Sequence, residues 1–298
     1  MRKYLYLVTI GLLWGTQFVF MRQAVTEIPD TWVAMGRALA GAMTLWLLCR
    51  LLRLKGNAHF WPVYALIALV DATIPFLLLA WAQKQVDSSV SAVIMGMIPL
   101  LTLLFAPLVI GEALTLIALF SVILGFAGIF VLFAPQLTGV TGDLSWLPLV
   151  LILISAGCYA MGMLLVKRFG CEHPLLVARN VLTASALQLM VVTLFGAPVI
   201  PEAVSTQSLL ALLMLGIFST GLGYFVFMML IRLSGPTFAS MSNYLVPVIG
   251  FLLGSWLLSE RPPHSALWAL VLILGAVGLN QWGKGRKSSS AKSVASRS

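Results

Sequence analysis

The amino-acid sequence predicts an all-α integral membrane protein of ten transmembrane helices, built as two inverted five-helix repeats. Three observations support this prediction: an apolar composition, ten long apolar segments, and residues that recur between the two halves. Of the 298 residues, 60% are hydrophobic and 9% are charged, whereas about a quarter of the residues in an ordinary soluble domain are charged. A water-soluble fold of this length could not bury so much apolar surface.

Ten apolar segments are long enough to cross a bilayer, because a spanning helix needs roughly 20 mostly apolar residues. The first segment follows two basic residues, as the core of a signal peptide would. Nine further segments follow it and no small-residue cleavage site intervenes, so we interpret it as a retained helix. The predicted spans are 4–21, 31–49, 61–83, 88–110, 113–134, 147–166, 174–195, 207–231, 237–258 and 265–282.

The basic residues predict the orientation of the chain. If the N-terminus is cytoplasmic, 13 of the 18 lysines and arginines fall on the inner side, three fall outside and two lie within spans. The positive-inside rule then favours a cytoplasmic location for both termini. Because the positive charge follows the topology, we expect no binding to nucleic acid.

The two halves of the chain share residues at a common spacing. Pro99 matches Pro247 and Glu112 matches Glu260, both at an offset of 148 residues. Since each half has five spans, the second half enters the membrane from the opposite side, and the repeats are inverted. Such repeats are frequent in secondary transporters, where the substrate site lies near the midplane between the halves. The predicted domains are a first repeat at 1–134, a linker at 135–146, a second repeat at 147–283 and a disordered basic tail at 284–298.

Short motifs recur along the chain in a fixed order. They are Trp14-Gly15, Met35-Gly36-Arg37, Ile98-Pro99-Leu100, Gly111-Glu112-Ala113-Leu114, Ala178-Arg179, Val246-Pro247-Val248, Ser259-Glu260-Arg261 and Leu274-Gly275. With these motifs the chain resembles the drug/metabolite transporter superfamily, specifically its EamA-type ten-helix branch. Two positions depart from the family pattern: Cys158-Tyr159 stands near the place of a second Trp-Gly, and Ser259 replaces the glycine before Glu260.

The resemblance implies a carrier that exports small metabolites across the bacterial inner membrane, where the chain would be a multi-pass protein in contact with lipid. Bacterial exporters of aromatic and neutral amino acids are prominent in this family, so we expect a small-molecule substrate of this class. Exporters of drug-like cations or of nucleobase-type metabolites are the alternatives. An integral membrane enzyme is a rival class, but it would need a convergent acid and base.

The sequence predicts neither a cofactor nor a metal site. It contains no Walker loop and no Cys or His pair at metal-binding spacing, so ATP-driven transport and metal chemistry lack their residues. The oligomeric state stays open between a monomer and a homodimer.

One face of the ninth span is a candidate substrate surface. Ser240, Asn243, Tyr244 and Pro247 fall at i, i+3, i+4 and i+7, which is one side of a helix. Pro247 has no amide hydrogen, so the carbonyl of Asn243 would be free to bind a ligand. The matching face of the fourth span is apolar and includes Met95. The alternative is that the proline only kinks the helix and that Asn243 holds two helices together.

Asp71 is the one carboxylate that the sequence places deep in the membrane. A buried charge there is costly and usually faces the interior of the bundle. It is therefore a candidate proton site or a partner for a substrate ammonium group, and a structural hydrogen bond, for example to Arg37, is the alternative. Trp14 and Tyr224 lie beside small residues and are candidate gating rings, although packing explains them equally well.

Two repeated pairs of charged residues have structural explanations. Arg37 and Arg179 lie near the starts of their spans, so we expect their side chains to reach the headgroups or to form ion pairs. Glu112 and Glu260 precede the fifth and tenth spans, where a carboxylate complements the helix dipole. We therefore predict that both glutamates cap helices.

Overall fold

In the computed structural model of the protein, the described residues are 1–56, 61–137, 146–169, 173–196, 203–239 and 241–295, without the side chains of 135–137, 235–237 and 284–295. All regular elements in these ranges are helical. Nine helices of the described chain are long and apolar enough to cross a bilayer, and α9 is a shorter apolar helix. The predicted ten-helix fold is confirmed. The helices are α1 (Arg2–Ala24), α2 (Asp30–Leu51), α3 (Trp61–Ala82), α4 (Ser88–Ile110), α5 (Leu116–Leu137), α6 (Trp146–Phe169), α7 (Pro174–Gly196), α8 (206–239), α9 (Ser242–Leu257) and α10 (His264–Ala295).

Four of the ten helices are interrupted. Helix α1 breaks at Thr16, and α4 breaks between Met95 and Ile98, directly before Pro99. Helices α3 and α8, which occupy corresponding places in the two halves, each contain a π-helical segment. These segments are Leu69–Thr73 and Met214–Leu222. Because π-helical turns inside α-helices frequently mark functional sites, their occurrence in both halves makes this level of the bundle a candidate functional site.

Contacts between the halves occur in matched pairs. Helix α1 packs against α8 and α9, and its counterpart α6 packs against α3 and α4. Helix α2 packs against α7 and α8, while α7 packs against α2 and α3. Helix α4 lies against α9, and α5 lies along α10. Each of these contacts made by the first half therefore has an equivalent made by the second half, as two similar repeats would give.

Helix α10 extends further than the sequence predicts. It continues to Ala295 through residues for which we expect a disordered tail, and no proline interrupts this part of the sequence. Residues 296–298 lie outside the described residues. Most of the predicted linker, at 138–145, also lies outside them.

The two glutamates expected to cap helices have different partners. Glu260 accepts hydrogen bonds from the first turn of α4, in the other half of the protein, so the prediction that it caps α10 named the wrong helix. The close approach of α4 and α9 brings the N-terminus of α4 within reach. Glu112 pairs with Lys167 at 2.5 Å, and both side chains are largely exposed.

Candidate functional site

Asp71 lies in the π-helical segment of α3 and is only 7% exposed. The hydroxyl of Tyr224, on α8, donates a hydrogen bond to Asp71 Oδ2 over 3.3 Å. Gly162, on α6, lies against the other carboxylate oxygen so closely that a methyl group at this position would overlap it. The structure thus encloses this first-half carboxylate between two helices of the second half.

Arg37, on α2, is buried, with 4% of its surface exposed. Its Nε donates to the hydroxyl of Thr220 at 3.0 Å, and its Nη2 donates to Oε1 of Gln17 at 2.8 Å. The guanidinium lies over the ring of Phe76, 4.1 Å from its centroid. The prediction that this side chain reaches the headgroups or forms an ion pair is wrong, because polar partners and an aromatic ring hold it inside the bundle.

One nitrogen of this guanidinium lacks an acceptor at hydrogen-bond geometry. Nη1 of Arg37 is buried and makes no such bond to any described residue, while the hydroxyl of Tyr159 is a further polar group that interacts with the guanidinium. The hydroxyl of Ser219, next to Thr220 in the π-helical segment of α8, is in the same situation. Unsatisfied buried donors are costly, so both are candidates for binding a ligand.

Arg37 and Asp71 do not bond to each other. The ion pairs among the described residues are elsewhere, at helix ends. Tyr159, on α6, interacts electrostatically with both charges, and so does Tyr224. The ring of Tyr159 also packs near that of Phe76, with centroids 6.4 Å apart. We call the four residues Arg37, Asp71, Tyr159 and Tyr224 the central cluster.

Glycines in α8 bring Arg37 into position. A Cβ at Gly216 would lie 2.5 Å from that of Ala40, and a Cβ at Gly221 would lie 2.5 Å from that of Thr44. Small residues of this kind let membrane helices approach closely, and here they press α8 onto α2. The hydroxyl of Thr220 donates to the carbonyl of Leu215, five residues earlier, and it accepts the hydrogen bond from Arg37.

The π-helical segment of α3 is supported from its other side by α7. Thr73 donates to Oε1 of Gln188 at 2.6 Å, and its hydroxyl lies 3.0 Å from that of Ser185. The amide nitrogen of Gln188 donates to the carbonyl of Ala65 at 2.9 Å. These bonds satisfy polar groups that lipid could not, and they fix the turn that carries Asp71.

The predicted face of α9 has a different environment. Tyr244 donates its hydroxyl hydrogen to the carbonyl of Val277 on α10 at 2.9 Å, so this polar atom is used to join two helices. Met95 is buried in the apolar core with 6% exposure, and Asn243 is half-buried. Ser240 lies outside the described residues.

Trp14 lies at the contact of α1 with α8. Its ring packs on Phe227, with centroids 4.9 Å apart, and its Nε1 would be 2.6 Å from a Cβ at Gly223. This places Trp14 beside the residue that precedes Tyr224. The structure therefore brings Trp14, Tyr224 and Asp71 into one region of the bundle.

Gln17, Phe76 and Gly162 also belong to this region, although they are not among the residues predicted from the sequence. A glutamine within an apolar span is a detectable signal, and Thr220 shares a helical face with Tyr224. No sequence signal pointed to Phe76 or Gly162, because one phenylalanine or glycine among many in apolar helices carries no pattern.

Comparisons with known proteins agree with this architecture. The profile of the EamA-like transporter family matches residues 1–134 and 146–281. The uncharacterized transporter YvbV of Bacillus subtilis (strain 168) is 25% identical over 283 residues, covering 93% of this chain and 91% of the relative. The uncharacterized inner membrane transporter YedA of Escherichia coli (strain K12) is 28% identical over 285 residues, covering 93% and 90%.

A solved crystal structure has the same fold, with a TM-score of 0.67 at 19% identity, covering 96% of this chain and 98% of the other. Both segments of the family match fall on the five-helix halves described above. The chain is a multi-pass membrane protein and belongs to the EamA-like transporter family.

Proposed function

We propose that this membrane transporter is a secondary carrier that exports a neutral, aromatic or aliphatic amino acid, or a similar small metabolite, by alternating access. The observation that supports this proposal is the position of the central cluster. Asp71 of the first half bonds to Tyr224 of the second, and Arg37 of the first half bonds to Thr220 of the second. A movement of one half against the other would rearrange this cluster, as alternating access requires.

The side chains of the cluster suit an amphipathic molecule without net charge. One acidic and one basic group lie beside the rings of Phe76, Tyr159 and Tyr224. Small-molecule sites typically combine apolar walls with a few placed polar groups. A drug-like cation is the second candidate, because a carboxylate beside aromatic rings can hold a cation. The nearby guanidinium of Arg37 disfavours it.

We infer the location from a relative and the orientation from the basic residues. YedA is named as an inner membrane transporter, and we infer the same membrane for this chain, with both termini cytoplasmic. Asp71 would bind a proton and the substrate in turn, which would couple export to a pH gradient. In this orientation, Glu260 and its partners lie on the periplasmic side.

The direct test is uptake into proteoliposomes that contain the purified protein. Labelled amino acids, nucleobases and lipophilic cations should be compared with and without a pH gradient, with protein-free liposomes as the control. We expect saturable uptake of neutral amino acids. Uptake of lipophilic cations alone would contradict the amino-acid assignment, and an absence of uptake across the whole panel would contradict the carrier itself.

A further inference from the structure

We propose that Arg37 and Asp71 bind the carboxylate and the ammonium group of one zwitterionic α-amino acid, with the rings of Tyr159 and Tyr224 beside it. This inference deepens the proposed function and rests on it. The juxtaposition of two buried, unpaired, opposite charges in one cluster is the observation behind it.

Arg37 is built to hold an anion. Its Nε and Nη2 are fixed by Thr220 and Gln17, and the ring of Phe76 covers one face of the guanidinium. Nη1 is buried and meets no described acceptor at hydrogen-bond geometry, so this edge, beside the hydroxyl of Tyr159, is the part of the cation that is left for a ligand. A planar guanidinium with a free edge is well suited to bind a carboxylate.

Asp71 is built to hold a cation. Tyr224 donates to one carboxylate oxygen, and the other oxygen packs against the backbone of Gly162. No lysine or arginine pairs with this carboxylate among the described residues. A buried carboxylate without a cationic partner is unfavourable, and a substrate ammonium group would supply that partner.

Both charges meet one turn of α8. Arg37 donates to Thr220, and Tyr224, four residues further along this helix, donates to Asp71. A ligand that carries a carboxylate and an ammonium group at its two ends would supply the missing ionic partner of each residue.

The same pair of charges discriminates between substrate classes. An amine without a carboxylate would leave Arg37 buried and unpaired, and an acid without an ammonium group would leave Asp71 unpaired. Either ligand should bind more weakly than the amino acid, because the group it lacks leaves one buried charge of the protein without an ionic partner. A neutral nucleobase-type molecule could donate or accept hydrogen bonds here, but it would form an ion pair with neither residue.

Two matched ligand series test this inference on the purified full-length protein. Phenylalanine would be compared with phenethylamine and 3-phenylpropionate, and leucine with isoamylamine and 4-methylpentanoate, by thermal stabilisation in detergent and by uptake into proteoliposomes. We expect at least one amino acid to bind roughly tenfold or more tightly than both of its truncated analogues. Equal binding of an amine and its parent amino acid would overturn the proposal, and so would a lack of binding by both amino acids.

Variants assign the two ends of the substrate. Arg37→Gln should remove the preference for the amino acid over the amine that lacks its carboxylate. Asp71→Asn should remove the preference for the amino acid over the acid that lacks its ammonium group. Arg179→Gln is the matched control, because this repeat mate bonds to its neighbour Asn180 and lies over Trp46; we expect it to keep both preferences. If Arg37→Gln gives no folded protein, Arg37→Lys keeps the charge and should retain the preference at reduced affinity.

The two readouts separate this proposal from the carrier function. Binding of the zwitterion without uptake would support the binding site and contradict the carrier function. Uptake of another class with no binding of zwitterions would contradict the site and leave the carrier in place. A variant of Arg37 that weakens the amino acid and its amine equally would show that this residue only supports the fold.

Discussion

Ser89 and Glu260 are joined by two hydrogen bonds that cross between the halves of the protein. The amide of Ser89 donates to Oε2 of Glu260 at 2.9 Å, and the hydroxyl of Ser89 donates to the same oxygen at 2.7 Å. The other oxygen accepts from the amide of Ser88 at 2.8 Å. Gly254 makes room for this carboxylate, because a Cβ at residue 254 would lie 2.6 Å from its oxygen. This carboxylate therefore ties α4 to the end of α9.

Glu260→Gln should weaken this link. Hydrogen bonds to a charged group contribute about 1.5–3 kcal/mol each, so these helix ends, which we predict to be periplasmic, should separate roughly tenfold more often. The measurement is the rate at which Met95→Cys, placed in a cysteine-free background, reacts with a polar thiol reagent added from outside. Glu112→Gln is the matched control, because its exposed pair with Lys167 contributes little. Equal reactivity in both variants would contradict the role of Glu260.

Asp87 should make the stability of the folded protein depend on pH. Burial, together with the nearby charge of Glu260, raises the pKa of the Asp87 carboxyl above its usual value, while Arg22 acts in the opposite direction. A carboxyl whose pKa is raised by folding stabilises the folded state when protonated, and this contribution is lost as the pH rises through the raised pKa. Asp87→Asn should therefore be more stable than the wild type at neutral pH.

Thermal unfolding measured over a pH series tests this sign. The advantage of Asp87→Asn should shrink as the pH falls and the wild-type carboxyl takes up its proton. Asp30→Asn is the control, since Asp30 forms an ion pair with Lys84 at 2.7 Å and its neutralisation should not raise stability. A constant difference between Asp87→Asn and the wild type at every pH would contradict the assignment.

Gly162→Ala should disrupt the central cluster. The added methyl group would overlap the side chain of Asp71, and overpacking of this kind typically costs about 1–3 kcal/mol. We expect a loss of most transport in a protein that still inserts into the membrane. Gly157→Ala, on the same helix, is the control, because its Cβ would meet only the ring of Phe105 at 3.8 Å. Similar transport by both variants would show that the cluster tolerates displacement.

The orientation of the chain follows from its basic residues and is tested with fusions. A reporter that is active only in the cytoplasm, fused after Ser298, should be active, and one that is active only in the periplasm should not. The 13 basic residues on the predicted inner side, against three outside, give this expectation. Activity of the periplasmic reporter would place both ends outside and exchange the two sides assigned to Glu260 and Glu112.

The fold was predictable from sequence to a greater extent than the site. Apolar segments of about 20 residues allow few alternatives in lipid, and all ten predicted spans coincide with helices. Contacts inside the bundle depend on helix rotation, which periodicity does not fix where nearly every residue is apolar. The bond of Tyr244 to α10 was consequently not predictable from its spacing. Arg37 lies inside, although its position near a helix end predicted a headgroup contact or an ion pair.

The π-helical segments show the same limit. Asp71 and Thr220 occupy such segments in α3 and α8, and a π-helical turn shifts the angular position of every residue after it. A helical wheel drawn with 3.6 residues per turn consequently misplaces the residues beyond each segment. The sequence identified Asp71 and Tyr224 by their chemistry, but their hydrogen bond depends on a local geometry that regular periodicity does not contain.

Asp71 is the residue that we expect to couple transport to protons, and the alternative is that it pairs structurally with Arg37. A structural pair with Arg37 would make Asp71→Asn a folding defect, but Arg37 bonds to Gln17 and Thr220 instead. Asparagine keeps the shape of the side chain and its bond from Tyr224, yet it cannot exchange a proton. Asp71→Asn should therefore insert and fold normally while losing accumulation driven by a pH gradient.

Measurement of downhill flux distinguishes a loss of proton coupling from a loss of transport as such. At saturating substrate concentration, Asp71→Asn should still equilibrate the substrate across proteoliposomes, because alternating access does not itself need a titratable group. Asp87→Asn makes the same chemical change directly before α4, outside the central cluster, and should keep gradient-driven accumulation. Accumulation that survives in well-folded Asp71→Asn would remove proton coupling from this residue, and loss of downhill flux at saturation would instead assign Asp71 to the transport cycle itself.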